Sequence, residues 1–326
     1  MKSEVAFLTA ASSDIGLGHL RRCRNLAHEM EARGAKVRFA LFADSGGRSL
    51  LADSGFEVEQ IKRAAYEPSR RDLLIVDDYA VTEARLRDLR RRAGRLAVID
   101  DLADRMLDAD LIQNGNANAA SLPYRTTAGC VRLLGPRYSL VGPAFRNLPR
   151  RQARAAVERI LVTFGGADPS NLTSTAIATV RRMLPNARLD VVIGPMFRAR
   201  GRLEAEDAVQ IHDSPSSLSA LMVDCDLAVT AAGQTTYELA SAGVPALAFC
   251  AAANQRQSLT ALSEIGTLVP VKDLGDSLTA VLRSLAADRA RRQRMIHAGQ
   301  CLVDGYGTER VAAALLSLHA EVNACA

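Results

Sequence analysis

The sequence predicts an α/β protein made of two doubly wound, Rossmann-like domains. Three observations predict it. Short apolar runs alternate with helical patterns along most of the chain. In the first half each run ends in polar residues, as buried parallel strands with a working C-terminal edge do. The alternation then stops at a cluster of Gly and Pro and restarts with the same order of strand, glycine-containing loop and helix. At 326 residues the chain suits two such cores better than one.

The elements follow in order. Val5–Leu8 is a strand, and Leu20–Arg33 a helix with Leu20, Cys23, Ala27 and Met30 on one face and Gly34 beyond its end. Residues 36–41 are a strand, 48–54 a helix ended by Gly55, and Val58 and Ile61 mark a short strand. Leu73–Val76 runs into Asp77-Asp78-Tyr79, Glu83–Arg92 is a helix closed by Gly94, and Leu96–Ile99 runs into Asp100-Asp101. Asp110–Gln113 runs into Asn114-Gly115-Asn116. Gly135-Pro136, Gly142-Pro143 and Pro149 then interrupt the pattern, so the expected domains are 1–145 and 155–326 with a linker near 143–157.

In the second half Ile160–Phe164 is a strand, Leu172–Met183 a helix, and Leu189–Ile193 and Val209–His212 are strands. Ser216–Val223 reads as a serine-capped helix, Leu227–Thr230 as a strand, and Thr236–Ala242 as a helix with Gly243 just past its end. Pro245–Phe249 is a strand, Leu259–Ile265 a helix, and 276–320 mostly helical.

Composition narrows the function. The chain is 48% hydrophobic and 24% charged, which excludes a disordered protein. A net charge of +5 suits an anionic ligand, but there is no basic tail or basic-aromatic stripe to suggest nucleic acid. The basic run Arg85–Arg95 reads as the polar face of a helix with Leu86 and Leu89 turned inward. Six scattered cysteines without a CxxC read as free thiols of a reducing compartment. The longest apolar run, Val244–Ala253, contains Pro245 and is too short to span a bilayer, so a cytoplasmic protein with no membrane insertion is expected.

Three stretches carry candidate chemistry. Gly16-Leu17-Gly18-His19 lies between the first strand and first helix, where open parallel sheets bind ligands, and a histidine there can serve as acid, base or phosphate donor. Phe164-Gly165-Gly166-Ala167-Asp168 is a second strand-to-loop phosphate candidate. In Ala232-Gly233-Gln234-Thr235-Thr236-Tyr237-Glu238 the glycine permits a close turn, the helix start offers N–H groups to a diphosphate, and Glu238 lies one turn on, within reach of a ribose. A plain helix start with a capping glutamate explains that spacing equally well. Asn254 and Gln255 offer amides to a substrate or to water, or form an ordinary loop. His28, His212, His297 and His319 show no metal-like or triad-like spacing. The pairs Asp77-Asp78 and Asp100-Asp101 read as polar strand ends more simply than as a Mg²⁺ site.

Together with Gly135-Pro136-Arg137-Tyr138, these stretches occur in the order and spacing of a known family over roughly residues 5–260. The chain resembles the nucleotide-sugar hydrolases of pseudaminic acid biosynthesis, which are similar to the GT-B glycosyltransferase that makes lipid II. The resemblance implies a GT-B fold with UDP held mainly by the second domain, facing the first loop across a cleft. It implies hydrolysis of a UDP-linked 2,4-diacetamido-2,4,6-trideoxy hexose, with inversion and with no metal or organic cofactor. It assigns His19 as the base that activates water, implicates Tyr79 and Asn254, and assigns ribose binding to Glu238. Gly16, Gly18, Gly165, Gly166, Ala232, Gly233, Gln234, Thr235 and Gln255 complete the expected site. Relatives often carry Asp-His-Tyr where this chain has Asp77-Asp78-Tyr79, and a diphosphate loop richer in serine or glycine than Ala231-Ala232-Gly233-Gln234. A GT-B glycosyltransferase and a nucleotide-sugar-binding protein without turnover are the alternatives.

Overall fold

The structure is a computed structural model that describes residues 3–11, 16–43, 50–52, 54–62, 65–168, 170–197 and 208–323. Ser12–Ile15 of the first loop, residues 48, 49 and 53 of the expected helix 48–54, and Cys325 lie outside them. The chain divides into two compact units, Met1–Pro143 with Tyr306–Ala326, and Ala144–Gly305.

The first unit holds strands β1 (Glu4–Ala11), β2 (Lys36–Ala43), β3 (Glu57–Gln60), β4 (Asp72–Asp77), β5 (Arg95–Ile99), β6 (Leu111–Asn114) and β7 (Val131–Leu134). They form one parallel sheet in the order β3-β2-β1-β4-β5-β6-β7. The register sets Phe7 beside Phe39 and Ile75, and the two phenylalanine rings stack at 5.0 Å. Helices α1 (Gly18–Ala32) and α2 (Glu83–Arg92) join the strands. Leu20, Cys23, Ala27 and Met30 of α1 are buried, as the periodicity predicts, and so are Leu86 and Leu89 of α2. Strand β7 was not predicted. It is a four-residue edge strand with Val131 and Arg132 exposed, so it carries no buried apolar run.

The second unit holds β8 (Arg159–Thr163), β9 (Arg188–Ile193), β10 (Val209–Asp213), β11 (Leu227–Ala231), β12 (Ala246–Phe249) and β13 (Leu268–Val271). They pair in parallel in the order β10-β9-β8-β11-β12-β13. Its helices are α3 (Leu172–Met183), α4 (Ser219–Asp224), α5 (Thr235–Ala242), α6 (Arg256–Ile265), α7 (Asp276–Ala287) and α8 (Arg289–Leu302). Strand β13 also escaped prediction, because Pro270 is tolerated only where a strand lies at a sheet edge. The serine cap expected at residue 216 is absent: α4 begins at Ser219 behind Leu218, with no side-chain cap. Gly243 ends α5 in the left-handed region, at φ +65°, as its position predicts.

One domain expectation is corrected. The last helix, α9 (Gly307–Asn323), belongs to the first unit, not the second. It packs on α1, and its Thr308 hydroxyl donates to the Val141 carbonyl at 2.6 Å. A side chain at position 307 would meet the Ser139 carbonyl oxygen at 2.2 Å, so only glycine allows this approach. The chain therefore crosses between units twice, at 143–144 and again at 305–306. Local periodicity marks a helix but not the sheet it returns to. Among the described residues no helix is long and apolar enough to cross a membrane.

Candidate active site

In the first unit, the ends of three neighbouring strands and the start of one helix build a buried charged network. Gly16 supplies a positive φ of +82° that turns the chain into α1, whose first turns carry His19 and Arg22. Asp77 ends β4, Asp101 follows β5, and Asn116 follows β6. His19 is 8% exposed and Asp77 fully buried.

His19 Nδ1 lies 2.5 Å from Asp77 Oδ1. Arg22 grips the same carboxylate with Nε and Nη2, both at 2.7 Å. The Cys23 thiol donates to Oδ2 at 3.4 Å, so donors meet both carboxylate oxygens from both sides. Burial works against a charged Asp77, but Arg22 and then His19 outweigh it and hold the carboxyl well below its usual range. An ionised carboxylate can only accept, so the proton in the 2.5 Å contact sits on His19 Nδ1. In that tautomer Nε2 carries the lone pair whenever the ring is neutral, and no group among the described residues bonds to it. Burial, and after it the Asp77 charge, push the Cys23 thiol up and keep it protonated.

A second arm leads to Tyr79. The third Arg22 nitrogen, Nη1, donates to Asp101 Oδ2 at 2.7 Å, and the Tyr79 hydroxyl donates to the same oxygen at 2.5 Å. Asn116 Nδ2 donates to Asp101 Oδ1 at 3.0 Å. The Tyr79 and His19 rings meet edge to face, with centroids 4.4 Å apart.

The other residues of these strand ends shape loops. Asp78 accepts from the Ala80 amide, and Asp100 from the amides of Leu102 and Ala103. Asn114 accepts from the Asn116 amide, and a side chain on Gly115 would collide with Ser139 Cα at 2.6 Å. No group of three or more His, Cys, Asp or Glu among the described residues could hold a metal ion.

In the second unit two loops follow neighbouring strands β8 and β11. At the first, Gly165 takes φ +85°, and Gly166 lies so close to Gly194 that a side chain on the latter would sit 2.4 Å from Gly166 Cα. Asp168, itself at φ +44°, accepts from the amides of Leu172 and Thr173 at 2.8 Å each and from the Thr173 hydroxyl at 2.6 Å. A carboxylate thus already fills the start of α3.

The start of α5 differs. The amides of Gly233, Gln234 and Thr235 donate to no acceptor among the described residues, and Gln234 Nε2 is buried without a partner. No side chain caps this helix. Gln255 Nε2 approaches Gly233, 3.6 Å from where a side chain would begin, while Gln255 Oε1 accepts from the Ala251 amide at 3.0 Å. Thr236 donates to the Gly233 carbonyl, and the buried Tyr237 hydroxyl pairs with Ser258 at 2.6 Å. Glu238 is half-buried in the first turn of α5. The Ala232 amide is engaged by the Phe249 carbonyl, and Asn254 is exposed on the turn Ala253–Gln255.

The structure therefore gathers His19 and Tyr79 in one unit, and Gly233, Gln234, Thr235 and Gln255 in the other. Sequence reading missed Asp77 and Asp101 as partners of His19 and Tyr79, named Asn116 only as part of a strand-end motif, and gave Arg22 no role. The signal lay in two strands ending in Asp-Asp beside an Arg one helical turn after the histidine.

No family model matches the chain. It is 24% identical to an uncharacterized protein of Methanocaldococcus jannaschii over 74% of the chain and 54% of that protein. It is 23% identical to the spore coat polysaccharide biosynthesis protein SpsG of Bacillus subtilis over 93% of the chain and 95% of that protein. It is 25% identical to the pseudaminic acid cytidylyltransferase and UDP-2,4-diacetamido-2,4,6-trideoxy-beta-L-altropyranose hydrolase of Helicobacter pylori, over 74% of the chain but only 43% of that protein. The chain thus spans about half the length of two of these relatives. Among solved structures, Acinetobacter baumannii MurG superposes with a TM-score of 0.63 at 14% identity, covering 97% of this chain and 99% of that one. The calicheamicin glycosyltransferase CalG4 gives 0.65 at 15% identity, covering 97% and 98%. Anabaena HepE in complex with UDP-glucose gives 0.58 at 17% identity, covering 96% and 99%. The fold is GT-B: two Rossmann-like α/β units with parallel sheets.

Proposed function

We propose that the protein hydrolyses a UDP-linked 2,4-diacetamido-2,4,6-trideoxy hexose to UDP and the free sugar, a step of nonulosonic acid biosynthesis. The His19–Asp77 pair carries the reading. Asp77 fixes the Nδ1–H tautomer and leaves Nε2 as the acceptor, the arrangement a general base requires. The name of the Helicobacter relative supports the substrate class, and SpsG supports a role in polysaccharide synthesis. HepE, which shares the fold, binds UDP-glucose.

In this reaction a water oxygen attacks the anomeric carbon while its proton passes to His19 Nε2. The C–O bond to the diphosphate breaks, and its electron pair leaves on UDP, with inversion at carbon. The free amides of Gly233, Gln234 and Thr235, with the dipole of α5, meet the diphosphate charge. Glu238 accepts from the ribose hydroxyls. Gly16 and Gly18 leave space for the sugar, and a side chain at 18 would meet nothing within 4 Å. Asn254 and Gln255 contribute amides to the sugar and the loop.

The test is an NMR time course with candidate UDP-sugars, with and without sugar or lipid acceptors. The expected result is release of UDP and free sugar without acceptor, the first-formed anomer being inverted. Turnover only with an acceptor would make the protein a glycosyltransferase. UDP binding without any turnover would make it a nucleotide-sugar-binding protein.

A further inference from the structure

Among the described residues, every group hydrogen-bonded to Asp101 is a donor. Arg22 and Tyr79 share its Oδ2 at 2.7 and 2.5 Å, and Asn116 holds Oδ1 at 3.0 Å. The guanidinium and amide N–H groups cannot accept, and the carboxylate beside Arg22 offers only lone pairs. The Tyr79 proton is therefore committed to Asp101, and the lone pairs of its Oη face elsewhere. The Tyr79 ring stands edge to face with His19, 4.4 Å between centroids.

We propose that Asp101 is a positioning residue: held by Arg22 and Asn116, it draws the Tyr79 proton away and makes Oη an acceptor beside the His19 base. This rests on the hydrolase reading. In the step above, one water hydrogen goes to His19 Nε2 while the other is held by Tyr79 Oη, which keeps its own proton throughout. Tyr79 is thus neither acid nor base; it aims the water. His19, Arg22, Asp77 and Asp101 are the titratable groups that face it. Burial, then the Asp101 charge, push its phenol well above the ordinary tyrosine range, against the pull of Arg22.

The pattern can be broken and restored. In Asp101→Asn the new amide must point its NH₂ either at Asn116 or at Arg22 and Tyr79, so one donor loses its acceptor. In the double variant Asp101→Asn with Asn116→Asp, the amide oxygen faces Arg22 and Tyr79 and the amide nitrogen donates to the new carboxylate. Asp101→Asn should lower kcat roughly 10- to 100-fold, the scale of one charged hydrogen bond, with KM within about threefold. The double variant should recover most of the loss. Equal loss in both variants, or a loss in KM alone, would overturn the proposal.

A second readout needs no turnover. In protein labelled with ¹³Cζ-tyrosine, the Tyr79 signal is identified by its absence in Tyr79→Phe. It should stay un-ionised at pH 11 in the wild type, and titrate closer to the ordinary value of about 10 in Asp101→Asn. An ordinary titration in the wild type, or one unmoved by Asp101→Asn, would overturn the assignment of the proton. If no UDP-sugar is hydrolysed, the hydrolase reading fails while this titration still decides the Tyr79–Asp101 pair.

Discussion

The two units run their first five strands in the same spatial order, yet they treat the ends of those strands in opposite ways. In the first unit, side chains from the start of α1 reach sideways to carboxylates on the neighbouring strands. In the second, Asp168 in the corresponding loop turns back and caps its own helix, and the neighbouring strand β11 opens onto amides with no acceptor among the described residues. Moving a proton needs a lone pair held in one tautomer, which only side chains and their counter-ions supply. Holding a dianion needs donors with no anion already among them. On the proposed function one topology hosts two chemistries, decided by whether the carboxylate points away from its helix or into it.

The largest effect expected breaks the first half of this contrast. Asp77→Asn keeps the size of the side chain but cannot accept from both His19 and Arg22 on two ionised oxygens. With the tautomer released, kcat should fall about 10²–10⁴-fold, as it should for His19→Ala, with UDP affinity within about threefold. Steady-state kinetics with isothermal titration of UDP check this, and wild-type turnover would leave Asp77 only a counter-ion for Arg22. Stability gives an independent test. Asp77 is held below the usual carboxylate range, so its contribution is complete above about pH 4 and is lost as pH falls through its lowered folded value. The gap between wild type and Asp77→Asn in urea unfolding should shrink as pH falls below about 4. A gap that keeps its size down to about pH 2 would contradict an ionised, paired Asp77.

The difference between the units also explains what could be read beforehand. Buried parallel strands advertise themselves as apolar runs, so eleven of the thirteen strands numbered above were legible; β7, half exposed, and β13, interrupted by Pro270, carry no such run. His19 stood out because a histidine flanked by glycines at a strand end is unusual. Asp77 and Asp101 were visible as residues but not as partners, because pairing them with His19 and Tyr79 requires knowing that β4 lies beside β1 and β5 beside β4. Arg22 was hidden among many arginines, and only its burial and its three short bonds separate it from the surface ones. Bare amides at α5 are likewise a property of the backbone, which the glycine at 233 suggests and the sequence alone cannot confirm.

The second half of the contrast is sharpened at α5. Glu238→Ala should weaken UDP binding by roughly 10- to 100-fold, the scale of a charged hydrogen bond to the ribose, while 2′,3′-dideoxy-UDP should lose almost nothing. Equal losses for both ligands would move the ribose site elsewhere. A smaller, purely structural effect is expected at Gly194→Ala, whose new methyl group would meet Gly166 Cα at 2.4 Å. Backbone must shift there, costing roughly 1–3 kcal/mol in chemical unfolding. A neutral result would mean that the β8 loop moves freely.

The smallest effect expected decides which loop binds the anion. Asp168→Asn keeps a residue that tolerates the left-handed backbone and can still accept from one amide of α3, but it removes the charge. If the diphosphate sat against α3, neutralising this carboxylate would relieve repulsion and raise UDP affinity severalfold. If the diphosphate sits at α5, the variant should lose about 1 kcal/mol of stability through its weakened cap and leave UDP affinity within about twofold. The second outcome is expected, because the α3 amides already have a partner and those of Gly233, Gln234 and Thr235 have none among the described residues. Tighter UDP binding would reverse the assignment of the two loops and return the diphosphate to Gly165 and Gly166.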